Sequence, residues 1–504
     1  PPPVGPPSRL QAVRGRAGYL GWVTQDPVAA AVDPVAAAVD PVAAAVDPVT
    51  AAVDVEMVRS RVRALMPRVR ADLEALVRIP SVSAAAFDSR QLLTSAEAVA
   101  GLLRAAGMPE VEILQAEVEG VPGAPAVVAR RPAAPGAPTV LLYAHHDVQP
   151  PGDPQLWTTP AFEPVERDGR LYGRGAADDK GGIAVHLAAI RALGPDSPLG
   201  LTVFVEGEEE TGSPSFAAFL RTYRERLAAD VIVIADSGNW RLGRPALTTS
   251  LRGLVDGVIE VATLDHAVHS GMFGGAVPDA VTVLIRLLNG LWDDAGALAV
   301  PGLVAAEADL EYAEADLRVD AGVLDGVELV GSGALASRLW TRPSLTITGI
   351  DVPAVATASN TLLPAVQAKF SLRLAPGQDP QAAFDALRAQ LLATAPWGAR
   401  VEVRIGGAGR PWAGDVDGPV YDTARWALRQ AYGHEAVHMG LGGSIPFIAE
   451  LGEAYPGATV LVTGVEDPDT RAHGTDESLH LAEFERACVA HALLLVAVAA
   501  PSGL

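Results

Sequence analysis

Residues 140–185 read VLLYAHHDVQPPGDPQLWTTPAFEPVERDGRLYGRGAADDKGGIAV. The stretch opens with apolar residues, Val140 to Tyr143, whose continuity predicts a buried strand. A short strand is expected over 170–172, followed by a glycine-rich turn and the start of a helix. His145-His146-Asp147 stands where the first strand ends, and Asp178-Asp179-Lys180-Gly181-Gly182 stands at the second turn. In open α/β sheets, ligands bind at the carboxyl ends of the strands. The stretch therefore predicts an α/β fold with a metal site, for which His145 and Asp178 are the first candidate ligands.

Further strands are expected at 110–116, 126–129, 201–206 and 231–235, alternating with helices at 58–77, 92–106, 183–193 and 214–227. Such alternation predicts a largely parallel or mixed sheet with helices on both faces. After Asp236 the pattern becomes strand 251–263, helix 279–289, strands 344–348 and 365–374, helix 380–395 and strand 400–405. That order belongs to a ferredoxin-like α+β unit. Helix 420–432, strand 458–463 and helix 481–499 then return to the first pattern. The expected architecture is a three-layer α/β/α domain, discontinuous over 57–247 and 410–504, with an α+β domain inserted at 248–409. Residues 1–56 differ from the rest. The unit Asp-Pro-Val-Ala-Ala-Ala-Val recurs from Asp26, Asp33 and Asp40 and, with Thr50 in place of its first Ala, from Asp47, and Asp54 keeps the seven-residue spacing. A proline in every unit breaks each helix, so a disordered tail without a catalytic part is expected, and Met57 is a candidate start of the protein proper.

Composition narrows the function. Among 504 residues the formal net charge is −22, which disfavours nucleic acid and anionic membrane surfaces as partners. The single cysteine, Cys488, excludes an internal disulfide and thiolate zinc sites. Any metal must then be held by His, Asp and Glu. No apolar run reaches the roughly 20 residues a membrane span needs, and no secretory signal opens the chain, so a cytoplasmic location is expected.

Other polar residues arrive at expected strand ends. His145 and Asp147 alternate, so both project to one face, and Asp147 suits the orienting of a metal-bound imidazole better than ligation. One carboxylate of Asp178-Asp179 can bridge two cations or cap the helix that follows. Glu206-Gly207-Glu208-Glu209-Glu210 crowds acids after an apolar strand, which calls for a compensating cation, and adjacent acids can divide ligation from proton transfer. Asp236 ends another strand, and His473 lies in a later loop.

The segments YAHHDVQP, LYGRGAADDKGG, EGEEETGS, IADSG, HSGMFGG, FSLRLAPGQ, GGSIP and AHGTDESL occur in an order that resembles the M20 family of dinuclear metallopeptidases. The branch is that of dipeptidases related to carnosinase and the cytosolic nonspecific dipeptidase, and the likeness runs from about Met57 to the C-terminus. It implies that His145, Asp178 and Asp236 hold one divalent metal, and that Asp178, Glu210 and His473 hold the other. Zinc is expected, with manganese or cobalt as alternatives. Glu209 becomes the general base acting on a metal-activated water, Asp147 orients His145, and the peptide bond after Asp178 is cis. The inserted domain becomes a lid and dimerisation domain. Its His269 would reach the partner subunit's active site in a homodimer. Arg373 would pair with the substrate's free carboxylate, and Thr361, Asn360, Ser444 and Gly443 would complete the binding of a small peptide. The implied activity is cleavage of dipeptides or short peptides with a free C-terminus. The alternatives are an N-acyl-amino-acid deacylase using the same centre, or a silent metal-binding scaffold. The chain departs from the pattern at His146, where tyrosine is common, and at Ala144, where glycine is common.

Overall fold

The structure is a computed structural model that describes residues 53–443 and 446–500. The heptad repeat before Val53, and with it most of the expected tail, lies outside the described residues. The last aspartate of the repeat, Asp54, caps helix Val55–Val77, its carboxylate accepting from the Met57 amide at 3.0 Å. That helix buries Val58, Val62, Val69, Leu73 and Leu76, a helical spacing that persists across Pro67.

A nine-stranded sheet runs, among the described residues, in the order Glu110–Leu114, Ala126–Arg131, Gly200–Glu206, Thr139–His145, Val231–Ile234, Thr459–Val462, Ala246–Leu251 and Trp412–Ala413, with Val437–Leu441 also paired to Ala246–Leu251. Its centre is parallel: Thr139–His145 lies between Gly200–Glu206 and Val231–Ile234, and the latter pairs with Thr459–Val462. Successive residues of Thr139–His145 alternate between two cores, as the pleat requires. Val140, Leu142 and Ala144 pack with helices Val55–Val77, Lys180–Leu193 and Leu481–Val498. Leu141 and Tyr143 face the other way, against Phe204, Phe216 and Phe447. Burial on both faces explains why the strand reads as unbroken apolar sequence, and it gives the expected α/β/α layering.

A second sheet orders Ser344–Asp351, Ala365–Leu374, Gly253–Ala262 and Arg400–Gly409, antiparallel throughout. Helices Ala280–Asn289 and Pro380–Ala393 complete a separate core with Val255, Phe370, Leu372, Leu284 and Leu387. This is the ferredoxin-like order expected from the sequence. One expected element is corrected. The strand read over 251–263 divides at Arg252: Ala246–Leu251 belongs to the main sheet and Gly253–Ala262 to the second. Alternation carries through both pieces, so periodicity alone gave no sign of the break. Strands Val437–Leu441 and Trp412–Ala413 and helix Pro446–Ala454 were not anticipated. No helix among the described residues is long and apolar enough to cross a membrane.

Candidate metal centre

Parallel pairing brings three strand ends side by side. His145 and Glu206 are the last residues of neighbouring strands and are Cα partners, while Asp236 follows the strand on the other flank of His145. His145 is fully buried. Its Nε2 lies 3.0 Å from Asp178 Oδ1 and 3.8 Å from Asp236 Oδ1. On the other side of Asp178, Oδ2 stands 3.0 Å from His473 Nε2, which is also 3.3 Å from Glu210 Oε2. Asp178 thus offers one oxygen to each imidazole. The His145–Asp178–Glu210 and His145–Asp179–Asp236 sets each present ligand atoms within 4.8 Å of one another. Nitrogen and carboxylate donors gathered at that spacing fit divalent cations.

The adjacent aspartates divide the two readings left open by the sequence. Asp179 is the helix cap: its carboxylate accepts from Gly182 N at 3.2 Å and from His145 N at 3.2 Å, which leaves Asp178 for the imidazoles. The peptide bond between the two is cis, as expected. Asp147 is fully buried and lies 3.4 Å from His145 Nδ1 through Oδ1, and it accepts from the amides of Glu209 and Glu210 at 3.2 and 3.1 Å. One carboxylate therefore orients the imidazole and the acidic turn together. Glu208 is spent on backbone amides, those of Ala124 and Ser215.

Electrostatics separate these acids. Burial works to raise the Asp178 pKa, but the hydrogen bonds with His145 and His473 outweigh it and hold the group below the usual carboxylate range. His473 is lifted to about 11 by its hydrogen bonds to Asp178 and Glu210. Burial raises Asp236 to about 7. Glu209 is raised well above the ordinary glutamate range, chiefly by burial, with Asp236, Glu210 and Asp178 adding repulsion against the pull of His145. Such a group holds a proton readily, which suits general acid–base work.

The remaining predicted residues gather elsewhere. His269 is exposed, pairs with Thr361 across a two-stranded ladder, and accepts from Gly271 N through Nδ1; Asn360 O accepts from Ser270 N. Arg373 is partly buried on Ala365–Leu374, and burial lowers its pKa. Gly443 is exposed, and Ser444 lies outside the described residues. His146 is engaged away from the ligand cluster. Its Nε2 lies 2.8 Å from Pro125 O, and its ring sits where a Cβ on Gly207 would come within 2.8 Å, so glycine is required there.

Four supporting residues were missed by sequence reading. Glu477 accepts from Arg174, Gly175, Ala177 and Asp178, and Gln149 donates to both oxygens of Glu210. Glu466 is held well above the ordinary glutamate range by burial beside Asp178 and Asp236. Gln149, Arg174 and Glu477 lie inside the motifs quoted above, so a signal existed; Glu466 carried none.

A sheet with acids and imidazoles converging at its carboxyl edge is the arrangement of an α/β/α protein with a candidate metal centre, and a family match makes that protein a metallopeptidase. Residues 141–497 match peptidase family M20/M25/M40, and the chain belongs to that family. It is 40% identical over 367 residues to the cysteinylglycine-S-conjugate dipeptidase of Corynebacterium striatum, covering 71% of this chain and 80% of that protein. The Cys-Gly metallodipeptidase dug1 of Schizosaccharomyces pombe is 29% identical over 82% of this chain and 91% of its own. Among solved structures, human carnosine dipeptidase 1 superposes with a TM-score of 0.71 at 25% identity, covering 88% of this chain and 98% of that one.

Proposed function

We propose that this peptidase is a two-metal dipeptidase that cleaves dipeptides or short peptides bearing a free C-terminal carboxylate. The observation that carries the reading is Asp178, whose two oxygens each lie 3.0 Å from a different imidazole. A carboxylate so placed can bridge two cations. In this reading His145, Asp178 and Asp236 hold one, and Asp178, Glu210 and His473 hold the other, with zinc, manganese and cobalt all suited to the donors. Cations bound there supply Lewis acidity and a water whose pKa is drawn toward neutrality. Glu209, held in a buried acidic setting, takes up the proton and passes it to the leaving amine. Asp147 keeps the His145 ring in place, and Gln149 does the same for Glu210.

The domain partition at 57–247, 248–409 and 410–504 belongs to the same reading, with the inserted sheet as lid and dimerisation domain. Its separate hydrophobic core supports an independent unit, and the exposed Met272 and Phe273, three and four residues after His269, support a homodimer. His269 would then serve the partner subunit's site by steadying the oxyanion that develops on the scissile carbonyl. Arg373 binds the substrate carboxylate through its two-pronged guanidinium, with Thr361, Asn360, Gly443 and Ser444 around the peptide. Dipeptide substrates are supported by the names of the relatives, which do not favour the deacylase alternative. A cytoplasmic setting is part of the same reading.

The test is turnover of dipeptides against N-acetyl amino acids, with and without zinc, manganese or cobalt. Hydrolysis of the dipeptides alone is expected. Turnover confined to the acetylated compounds overturns the substrate, and no turnover in any metal overturns the enzyme.

A further inference from the structure

Arg252 is the one residue between strand Ala246–Leu251 of the main sheet and strand Gly253–Ala262, the first of the inserted sheet in chain order. Its backbone N–H donates to Leu441 O at 3.2 Å, and its Nε donates to Gly442 O at 3.1 Å. Both acceptors stand where strand Val437–Leu441 runs into the Gly442–Gly443 loop. A Cβ on Gly442 would come within 2.8 Å of Arg252 Nη2, so a larger residue there would have to displace the guanidinium.

The other arm of the guanidinium reaches the inserted sheet, where Nη1 donates to Ser344 Oγ at 2.9 Å. Ser344 is the Cα partner of Arg373, and so, on the opposite flank, is Leu254. Directly opposed residues of antiparallel strands present their side chains on one face, as do residues two apart along a strand. Arg252, Leu254, Ser344 and Arg373 therefore share a face. It is the reverse of the face that buries Val255, Leu345 and Leu372. Burial and the Arg373 charge together pull Arg252 down to about 10. Among the described residues the hydrogen bonds of Arg252 go to neutral oxygens, and no carboxylate forms an ion pair with it. The Arg373 charge is felt at Arg252 across this shared face, and an anion received there is attracted by both guanidiniums.

We propose that Arg252 and Arg373 form a joint carboxylate subsite, in which Arg252 is the specificity residue that selects substrates ending in a free carboxylate. This rests on the assignment of Arg373 to the substrate's carboxylate. The subsite is assembled at the seam between the two sheets, so the group that recognises the carboxylate also fixes the Gly442 loop against the inserted strand.

The test measures steady-state kinetics of the metal-loaded enzyme on a dipeptide and on its C-terminal amide, for wild type, Arg252→Gln and Arg252→Lys. Calorimetric binding of the reduced-amide isostere of the same dipeptide, as free acid and as carboxamide, runs alongside. Arg252→Gln is expected to raise KM for the dipeptide about 10- to 100-fold with kcat within about threefold. The preference for acid over amide should shrink by the same factor, with part of it kept by Arg252→Lys. An unchanged acid-to-amide ratio, with only kcat or thermal stability lowered, makes Arg252 a structural tie and overturns the proposal. Equal binding of acid and carboxamide isosteres by wild type overturns it as well. Should wild type hydrolyse no dipeptide, the proposed function fails, and the isostere preference still decides the subsite.

Discussion

Glu477 offers the sharpest test of how the fold holds its candidate metal centre. Its carboxylate is fully buried and accepts from Arg174 Nη1 at 2.6 Å and from the amides of Gly175, Ala177 and Asp178 at 3.0, 3.1 and 3.3 Å. Burial pushes its pKa up, while Arg174 and the amides favour the anion. Glu477→Ala strands a guanidinium that is 1% exposed, together with three amides on the segment that carries Asp178. Removing one partner of a buried ion pair costs about 3–5 kcal/mol. Arg174 keeps its bond to Gly474 O at 2.9 Å, which places the expected loss near the lower end of that range. Glu477→Gln retains an acceptor, so about 1.5–3 kcal/mol is expected. Arg174→Met combined with Glu477→Leu removes both charges and should cost less than Glu477→Ala alone. Denaturant midpoints for wild type, each single variant and the pair complete a double-mutant cycle, with metal content per chain measured in parallel. A coupling below about 1 kcal/mol, or a Glu477→Ala protein as stable as wild type, refutes the reasoning.

Further outcomes follow from the same geometry. Glu209→Gln should lower kcat by about 10²- to 10⁴-fold with metal content unchanged; half of the wild-type rate would remove Glu209 from the mechanism. Chelation should abolish turnover, and restoring metal to 100 times its Kd should raise unfolding stability by about 2.7 kcal/mol, read from thermal melts with and without metal. His145→Ala should lose bound metal without rescue by His146, whose ring is turned to Pro125 O, so full metal occupancy in that variant would show the ring to be adaptable. His186 and His491 are buried with ring centroids 5.4 Å apart, and burial lowers them to about 4 and about 3. The unfolded chain then binds more protons below about pH 6.5, so stability is complete above that pH and falls as the pH drops toward 4, by about 1.4 kcal/mol per unit for each histidine. Denaturant midpoints at pH 7.5 and pH 5 for wild type and for the double variant His186→Gln/His491→Gln test this, the variant being expected to show the flatter profile.

The sequence disclosed most of the fold because strong periodicities coincide with real burial. Thr139–His145 is apolar from Val140 to Ala144 because both of its faces are covered, and Gly253–Ala262 alternates because one face meets helices. What stayed hidden depended on partners far along the chain. The break at Arg252 is fixed by Leu441 and Ser344, which lie roughly 190 and 92 residues away, and no local pattern reports such contacts. At the site, the proposed ligands were legible as acids and imidazoles within their motifs, whereas the motif that holds Glu477 gave no sign of its part. An acid that accepts backbone amides looks, in sequence, like any other acid.

That distinction also explains why the motifs contain more carboxylates than the proposed chemistry uses. Asp147, Asp179, Glu208 and Glu477 are each satisfied by backbone N–H groups, so the fold itself stabilises them. Glu210 takes part of its stabilisation from Gln149 and directs Oε2 toward His473 as well. Asp178 meets two imidazoles, and Asp236 and Glu209 lie buried among other acids, where like charge and desolvation raise their proton affinity. A carboxylate without backbone donors in such a place has two routes to stability, a proton or a cation. Backbone donors therefore mark the acids that shape the site, and Glu210, which accepts from the Gln149 amide at 3.0 Å, stands between these and the acids left to face a charge from outside the chain. Asp178, Asp236 and Glu209 are among those left to face such a charge, as are Glu206 and Glu466, whose proton affinity burial raises.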